Sequence, residues 1–480
     1  MQKVYNSLTF EKEEFKTIKP NEVSMYVCGP TVYDSPHLGH AKSAVTFDLI
    51  RRYLEFKKYN VKLVKNYTDI DDKIIKRANE KGIGFNELSE HYIEEYEEIM
   101  DILNIEKDFK NPRATETIDF MIDFIQGLID KGNAYERNGS VYFSVKTYPD
   151  YKKIFQKGKI LEEEEEEEEE TPENYEHMYE EDKLDPKDFA LWKKSKEGEP
   201  FWESPWGKGR PGWHIECSAM AINYLGETID VHGGGQDLKF PHHRNECAQS
   251  ISFTGKPFAN FFIHNGFVNV DNEKMSKSLG NFFLVSDVVK EYDPMVVRLF
   301  LITSHYRSSV NYSLDNMNQA KKNYFKILNA IKKVRDAPII ETSSSDNEKL
   351  LSDIDNIELQ IMEAMDDDFN TPIAIAALLS LVRNLNKAIL QENIGVTQDF
   401  KDKFFEFISK IDKIFGIKLM QNSIDLRLDS MDEKDEWIKN LLEVITETRN
   451  KLRERKIFDI SDELRDRLKK LGIDVEDNKI

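Results

Sequence analysis

Pro36-His37-Leu38-Gly39-His40 sets two imidazoles around a glycine, after the strand-like run from Val23 to Cys28 and just before an apolar-periodic stretch beginning near Ala41. A helix start leaves backbone N–H groups unpaired, and with His37 and His40 beside them they can hold phosphate oxygens. Gly39 removes the side chain that would keep a flat base off the backbone. Far downstream, Lys274-Met275-Ser276-Lys277-Ser278 stands in a polar loop followed by Leu279-Gly280-Asn281. Its ammonium groups can meet the charge that develops when pyrophosphate leaves a triphosphate.

A second set of residues suits a soft metal. The chain has three cysteines, Cys28, Cys217 and Cys247, too few for a disulfide framework, which points to a reducing compartment and to metal or packing roles. His242 and Glu246, four apart after Pro241, share one face of a predicted helix. With Cys28 and Cys217 they make two sulfurs, one nitrogen and one oxygen, a donor set for zinc, although spacing alone does not bring Cys28 to Cys217. Cys247 lies about 100° around that helix from Glu246 and is expected in the core. His243 is expected to be structural.

The two phosphate segments, in this order, resemble the signatures of class I aminoacyl-tRNA synthetases, the second at every position. Cys28-Gly29-Pro30-Thr31-Val32-Tyr33-Asp34, Asn66-Tyr67-Thr68-Asp69-Ile70-Asp71-Asp72-Lys73, the stretch Gly209 to Met220 and the stretch Asp230 to Glu246 closely resemble cysteinyl-tRNA synthetases, and the resemblance covers nearly the whole chain. It implies that Cys28, Cys217, His242 and Glu246 bind one Zn²⁺ per chain, and that the substrate thiolate joins the metal. Thr68, Trp213 and His232 are implied for the cysteine pocket. Gly39, His37, His40, Asp237 and Lys277 are implied for ATP, bound with Mg²⁺. His37, His40, Lys274 and Lys277 would stabilise charge as L-cysteine becomes cysteinyl-adenylate and is then passed to the 3′ end of tRNA(Cys). No covalent nucleophile is needed, because positioning and charge stabilisation carry such a reaction.

Zinc would suit this substrate. An apolar pocket separates cysteine from serine by only about 1–3 kcal/mol. A metal that deprotonates a thiol, of ordinary pKa about 8.5, does not do the same for an alcohol. No segment reads as a proofreading domain.

The elements around these residues read as α/β. Strands near Val23–Cys28, Val61–Asn66 and Thr228–His232, with a helix from Ala41 to about Phe56, suggest a parallel sheet, and the resemblance makes it a Rossmann-like catalytic domain over residues 1–310, with an insertion at about 104–212. No dinucleotide-type glycine motif follows the first strand. Beyond it come His305-Tyr306-Arg307-Ser308 and a helix from Leu314 to Val334, resembling a tRNA-stem contact, with a linker to residue 345. Apolar residues at helical spacing predict an antiparallel bundle at 346–425. A small C-terminal anticodon-binding region is expected at 426–480, where Arg449, Lys451, Arg453 and Arg455 could neutralise tRNA phosphates.

The formal net charge of −21 argues at first sight against a nucleic-acid partner, but the unbroken acidic run from Glu162 to Glu170 supplies much of it, and nine like charges favour a solvated segment. No apolar stretch is long enough to span a bilayer and the first residues lack the apolar core of a signal peptide, so a cytoplasmic monomer is expected. Besides the acidic run, two departures from the resemblance stand out: Arg244 where many relatives carry an acid, and a C-terminal end without the Gly- and Trp-containing tail that often follows. Two other classes fit parts of the chain. A ligase passing cysteine to a small amine would lack residues 350–480, and an RNA-binding protein on a decayed fold would not need the intact second signature.

Overall fold

The computed structural model describes residues 1–156, 182–275, 280–341, 345–388 and 395–424, together with scattered helical positions between 445 and 467. The acidic run, Lys277 and Arg455 lie outside the described residues. The chain divides into two units, Met1–Met420 and Gln421–Ile480.

A hairpin of β1 (Lys3–Asn6) and β2 (Glu11–Glu14) precedes the first core strand, β3 (Glu22–Val27). Helix α1 (Leu38–Phe56) carries the chain over to β4 (Asn60–Lys65), parallel to β3 with Met25 opposite Leu63. α1 starts earlier than the expected Ala41 because the His37 side chain caps it, accepting from the N–H groups of Gly39 and His40. Helices α2 (Asp72–Lys81), capped by Asp71 and closed by left-handed Gly82, and α3 (Phe85–Ile102) follow.

The inserted part consists of α4 (Ile118–Asp130) and an antiparallel sheet of β5 (Ala134–Arg137), β6 (Ser140–Phe143), β7 (Phe189–Lys194) and β8 (Gly209–Pro211). Its expected start near residue 104 is too early. Phe109 donates its N–H to Leu63 O and Lys65 donates to Lys110 O, so this stretch still lies along β4. Helix α5 (Trp213–Leu225) returns the chain to β9 (Ile229–Gly235), α6 (His242–Thr254) and β10 (Ala259–Asn265).

The central sheet runs β10-β9-β3-β4, all parallel. Its strands read as near-continuous buried runs, such as Val23, Met25, Tyr26 and Val27, because both faces are covered. Close approach of α1 requires glycine at 233, where a Cβ would stand 2.3 Å from the Phe47 ring. From β3 the chain moves to β4 on one side and to β9 on the other. The loops leaving the carboxyl ends of β3 and β9 therefore diverge and open a crevice there.

Strands β11 (Val268–Val270), β12 (Glu273–Lys274) and β13 (Val310–Tyr312) form a small sheet that carries Lys274. Between β12 and β13 lie α7 (Val285–Glu291) and α8 (Pro294–Ile302), the latter capped by Asp293 with Pro294 in its first turn. Helices α9 (Leu314–Asp336), α10 (Ser345–Asp366), α11 (Thr371–Asn386) and α12 (Gln398–Phe415) follow; the last three lie in the span expected for the helical bundle, and α9, expected as a separate stem-contact helix, packs against α11. The linker expected after Asp336 is partly ordered by packing: Ala337 is buried, Ile340 donates to Val396 O and Val396 donates to Pro338 O.

Bundle and sheet share a buried polar seam. Arg298 of α8 donates from Nε to Phe415 O at 2.7 Å and from Nη1 to Leu103 O at 3.0 Å, and it pairs with Asp48, which also takes Arg52 Nε at 2.7 Å. At the α10–α11 corner, Asp366 accepts from Tyr53 Oη at 2.7 Å, while Asp368 accepts from Tyr306 Oη at 2.7 Å and from Arg307 Nε at 2.8 Å. Among the described residues no helix is long and apolar enough to cross a membrane.

Candidate functional site

The crevice at the ends of β3 and β9 gathers the residues that the sequence scatters. Cys28 follows β3, Asn66 and Thr68 follow β4, His232 lies in β9, Cys217 in α5, and His242 and Glu246 one turn apart in α6. Cys28 Sγ, Cys217 Sγ, a His242 nitrogen and a Glu246 oxygen all lie within 4.8 Å of one another. A tetrahedral zinc with bonds of about 2.0–2.3 Å sets its ligands roughly 3.3–3.8 Å apart, so the four donors match it in both chemistry and spread. The Cys28 thiol reaches Glu246 Oε1 at 3.4 Å and His242 Nε2 lies 3.1 Å from the same oxygen, whereas buried Glu246 Oε2 has no hydrogen-bond partner.

Electrostatics favour one thiolate in this cluster. Burial pushes the Cys217 thiol up, yet the hydrogen bond from Cys28 and the neighbouring His242 bring it down to about 6. Burial, then Cys217 and Glu246, push Cys28 well up. Burial opposes charge on His242, but Glu246 and Cys217 prevail and raise it. A second donor set, Cys28, His232, His243 and Glu246, shares two members with the first. It offers a single sulfur; His243 Nδ1 lies 2.8 Å from His264 Nε2, and its Nε2 lies 3.9 Å from Glu246 Oε1. The first set, with two sulfurs, is the better match to a soft ion.

Around the cluster, Trp213 is 37% exposed and its ring lies on His242, centroids 4.3 Å apart. His232 is fully buried, its Nε2 3.3 Å from Glu246 and 3.8 Å from Cys28 Sγ. Thr68 is buried and donates to Glu216 Oε2 at 2.8 Å. Sequence reasoning passed over Glu216, Asn66 and His214. Burial and then neighbouring Cys217 push Glu216 well up, although the Thr68 bond opposes the shift. Asn66 Oδ1 accepts from Gly29 N at 2.8 Å and lies 3.7 Å from Cys217 Sγ. His214 Nδ1 meets His242 Nδ1 at 3.0 Å, which leaves Nε2 of His242 facing the cluster. The only sequence signal for His214 and Glu216 was their place beside Cys217. Cys247 is buried in the core as expected.

The two phosphate segments come together at α1. Leu38 donates to Phe283 O and Val285 donates to Pro36 O, a short pairing that aligns the loop after the second segment with the first. A Cβ at Gly39 would be 3.7 Å from the Met275 methyl group. His37 Nδ1 accepts from Gly39 N at 3.0 Å, and His40 Nδ1 faces His37 N at 3.4 Å. In its neutral form each imidazole therefore carries its proton on Nε2, and the rings stack 3.7 Å apart. Lys274 is exposed with Nζ over the Phe267 ring at 5.1 Å. Asp237 is exposed on the 3₁₀ turn Gln236–Lys239 that leads into α6.

Two of the expected RNA contacts have other engagements. Tyr306 is buried against Asp368, so in this structure that segment joins bundle to sheet. Arg449 is buried and donates to Ser461 O at 3.3 Å, which makes it a packing residue of the second unit; Lys451 is exposed, and Arg453 lies 3.7 Å from Asp462.

A family described as tRNA synthetases class I (C) catalytic domain matches residues 14–322, and one described as DALR domain matches residues 360–420. A protein of Caldicellulosiruptor saccharolyticus named cysteine–tRNA ligase is 44% identical over 479 residues, covering 99% of this chain and 97% of its own. One of the same name from Methanococcus maripaludis is 46% identical over 484 residues, covering 100% and 98%. Among solved structures, the Mycobacterium tuberculosis methionyl-tRNA synthetase in complex with methionyl-adenylate superimposes with a TM-score of 0.60 at 14% identity, over 84% of this chain and 92% of its own, a likeness of fold.

Proposed function

Since this chain belongs to the cysteine–tRNA ligase family of class I tRNA synthetases and joins L-cysteine to tRNA(Cys) through cysteinyl-adenylate, we propose a role in that reaction for each residue of the crevice. The observation that carries the reading is the meeting of Cys28, Cys217, His242 and Glu246 within 4.8 Å at the strand ends that class I chemistry uses. These four would hold one zinc ion. When bound, zinc supplies a Lewis acid that favours a thiolate over an alcohol, and so selects cysteine against serine.

Every other part falls to the protein. Trp213 and His232 wall the cysteine pocket, and Thr68, held by Glu216, fixes its floor. With the side chain anchored, the carboxylate of cysteine attacks the α-phosphorus of Mg-ATP, and pyrophosphate leaves. His37 and His40 donate from Nε2 to phosphate oxygens. Gly39 lets the base approach, and Asp237 binds the nucleotide. Lys277 neutralises the charge that grows on the departing pyrophosphate, and Lys274 leaves the Phe267 ring to assist. The terminal ribose hydroxyl of tRNA then attacks the adenylate carbonyl, AMP departs, and the proton of the hydroxyl passes to the phosphate side of the site. Residues 426–480 read the anticodon end, and the enzyme acts as a cytoplasmic monomer.

Cysteine-dependent ATP–pyrophosphate exchange, with serine as the control, tests the reading. Lys277→Ala should slow adenylate formation by roughly 10²–10³-fold while zinc content stays unchanged. An unaltered single-turnover rate would remove Lys277 from this role.

A further inference from the structure

Lys239, at the end of the 3₁₀ turn, and Arg244, in the first turn of α6, bracket Phe240, and among the described residues neither pairs with a carboxylate. The chain holds 88 acidic against 67 basic side chains, so two cations without acids on either side of Phe240 in the chain are out of keeping with its surface. Lys239 is half-buried; burial and the nearby charge of Arg307 both lower its pKa, so its charged neighbour is another cation. The Arg244 guanidinium lies 4.8 Å from the Phe240 ring and 5.6 Å from the Tyr151 ring, and its buried Nε has no hydrogen-bond partner. Tyr151 is pinned by its hydroxyl to Asn245 Oδ1 at 2.5 Å, whereas the Phe240 ring is 53% exposed.

Desolvating a cation without a partner is unfavourable, and an arriving anion offsets the cost. An exposed ring backed by a guanidinium is also the kind of platform on which nucleic-acid bases stack. Arg244 lies about 200° around α6 from His242, so it faces away from the cysteine cluster. Phe240 is only two residues from His242, at most about 7 Å along the backbone, and the RNA 3′ end must reach the carboxylate of the cysteine held there. The geometry points to Lys239, Phe240 and Arg244 as a site for the single-stranded 3′ segment of the RNA, with phosphodiester oxygens on the two cations and a base on the ring.

This inference rests on the ligase reading, and one set of measurements on the full chain separates the two. Binding of a short single-stranded RNA of the tRNA 3′ sequence is followed against salt, alongside the tRNA KM in aminoacylation, pyrophosphate exchange and zinc content. Lys239→Ala with Arg244→Ala should raise the tRNA KM and flatten the salt slope by about 0.7 for each lost contact, with exchange and zinc retained. Phe240→Ala should weaken RNA binding on the order of tenfold, and Arg244→Lys should keep the slope. An unchanged slope and tRNA KM in the folded double variant would overturn the site. So would a rise in the ATP KM without change in RNA binding, which would make it a nucleotide contact, or an Arg244→Lys variant as impaired as alanine. Absence of exchange in the unmodified enzyme would instead strike the ligase reading.

Discussion

The His37 and Phe282 rings meet edge to face, centroids 4.9 Å apart at 69°, so the residue that caps α1 also seats the segment following the second phosphate loop. His37 thus caps α1 through Nδ1, and the proposed phosphate contact would fall to its Nε2.

Substitution can part them. His37→Asn can still cap α1 but loses the donor, so adenylate formation should fall by roughly 10²–10³-fold with little change in melting temperature. His37→Ala should show the same kinetic loss and a further destabilisation of about 1 kcal/mol. Equal melting temperatures for the two variants would refute the capping role, and a fast Asn variant the donor role.

The metal assignment has a spectroscopic test. Cobalt in place of zinc should give strong thiolate charge-transfer bands, reduced in Cys217→Ser, and elemental analysis of that variant should show most of the metal lost. His243→Gln should keep the bands if Cys28, Cys217, His242 and Glu246 are the ligands. Cobalt bands indifferent to Cys217 but abolished in His243→Gln would favour the alternative donor set.

Asp48 ties acid stability to the buried seam. Burial pushes its carboxyl up, but Arg298, Arg52 and Arg51 outweigh it and hold the group at about 2, against 3.8 in the absence of neighbours. A lowered pKa contributes stability above the unfolded value and loses it as pH falls through the folded one. Roughly 2 kcal/mol should therefore disappear between about pH 4 and pH 2. Asp48→Asn should abolish that segment of the stability–pH curve and cost about 3–5 kcal/mol at neutral pH, because Arg298 is left buried without its acid. Urea unfolding at several pH values checks both.

How much of this could be read from the sequence depends on the range of each interaction. His242 and Glu246 were legible because four residues make about one helical turn. The closure of Cys28 on Glu246 was carried by resemblance, since no local pattern encodes which strand ends share a crevice. The Thr68–Glu216 bond spans 148 residues and the histidine pair 243–264 joins a helix to a strand. Neither partner carries a mark of the other. Arg449 shows the opposite failure: its charge suggested RNA, but charge does not reveal facing, and its guanidinium turns inward to Ser461.

Truncation should separate activation from RNA recognition, provided the cut respects the seam. A break near Asp336 would strip Phe415 O from Arg298 and Ile417 O from Tyr324, so such a protein should fail to fold. A chain ending at Ile424 should retain cysteine-dependent pyrophosphate exchange and lose most tRNA charging. In the full chain, Arg453→Ala with Arg455→Ala should flatten the salt dependence of tRNA binding by about one unit per lost contact. Undiminished charging by the shortened chain would remove the anticodon-reading role from the residues beyond Ile424.

The crevice also imposes a timetable on biosynthesis. Cys28 and Glu246 are separated by 218 residues, and at about 5–20 residues per second the ribosome needs roughly 10–40 s to deliver the second after the first. Until residue 217 is made the Cys28 thiol lacks its sulfur neighbour, and until the end of the interval it lacks Glu246. A metal held by Cys28, Cys217, His242 and Glu246, as proposed, would find its full donor set only once translation has passed Glu246.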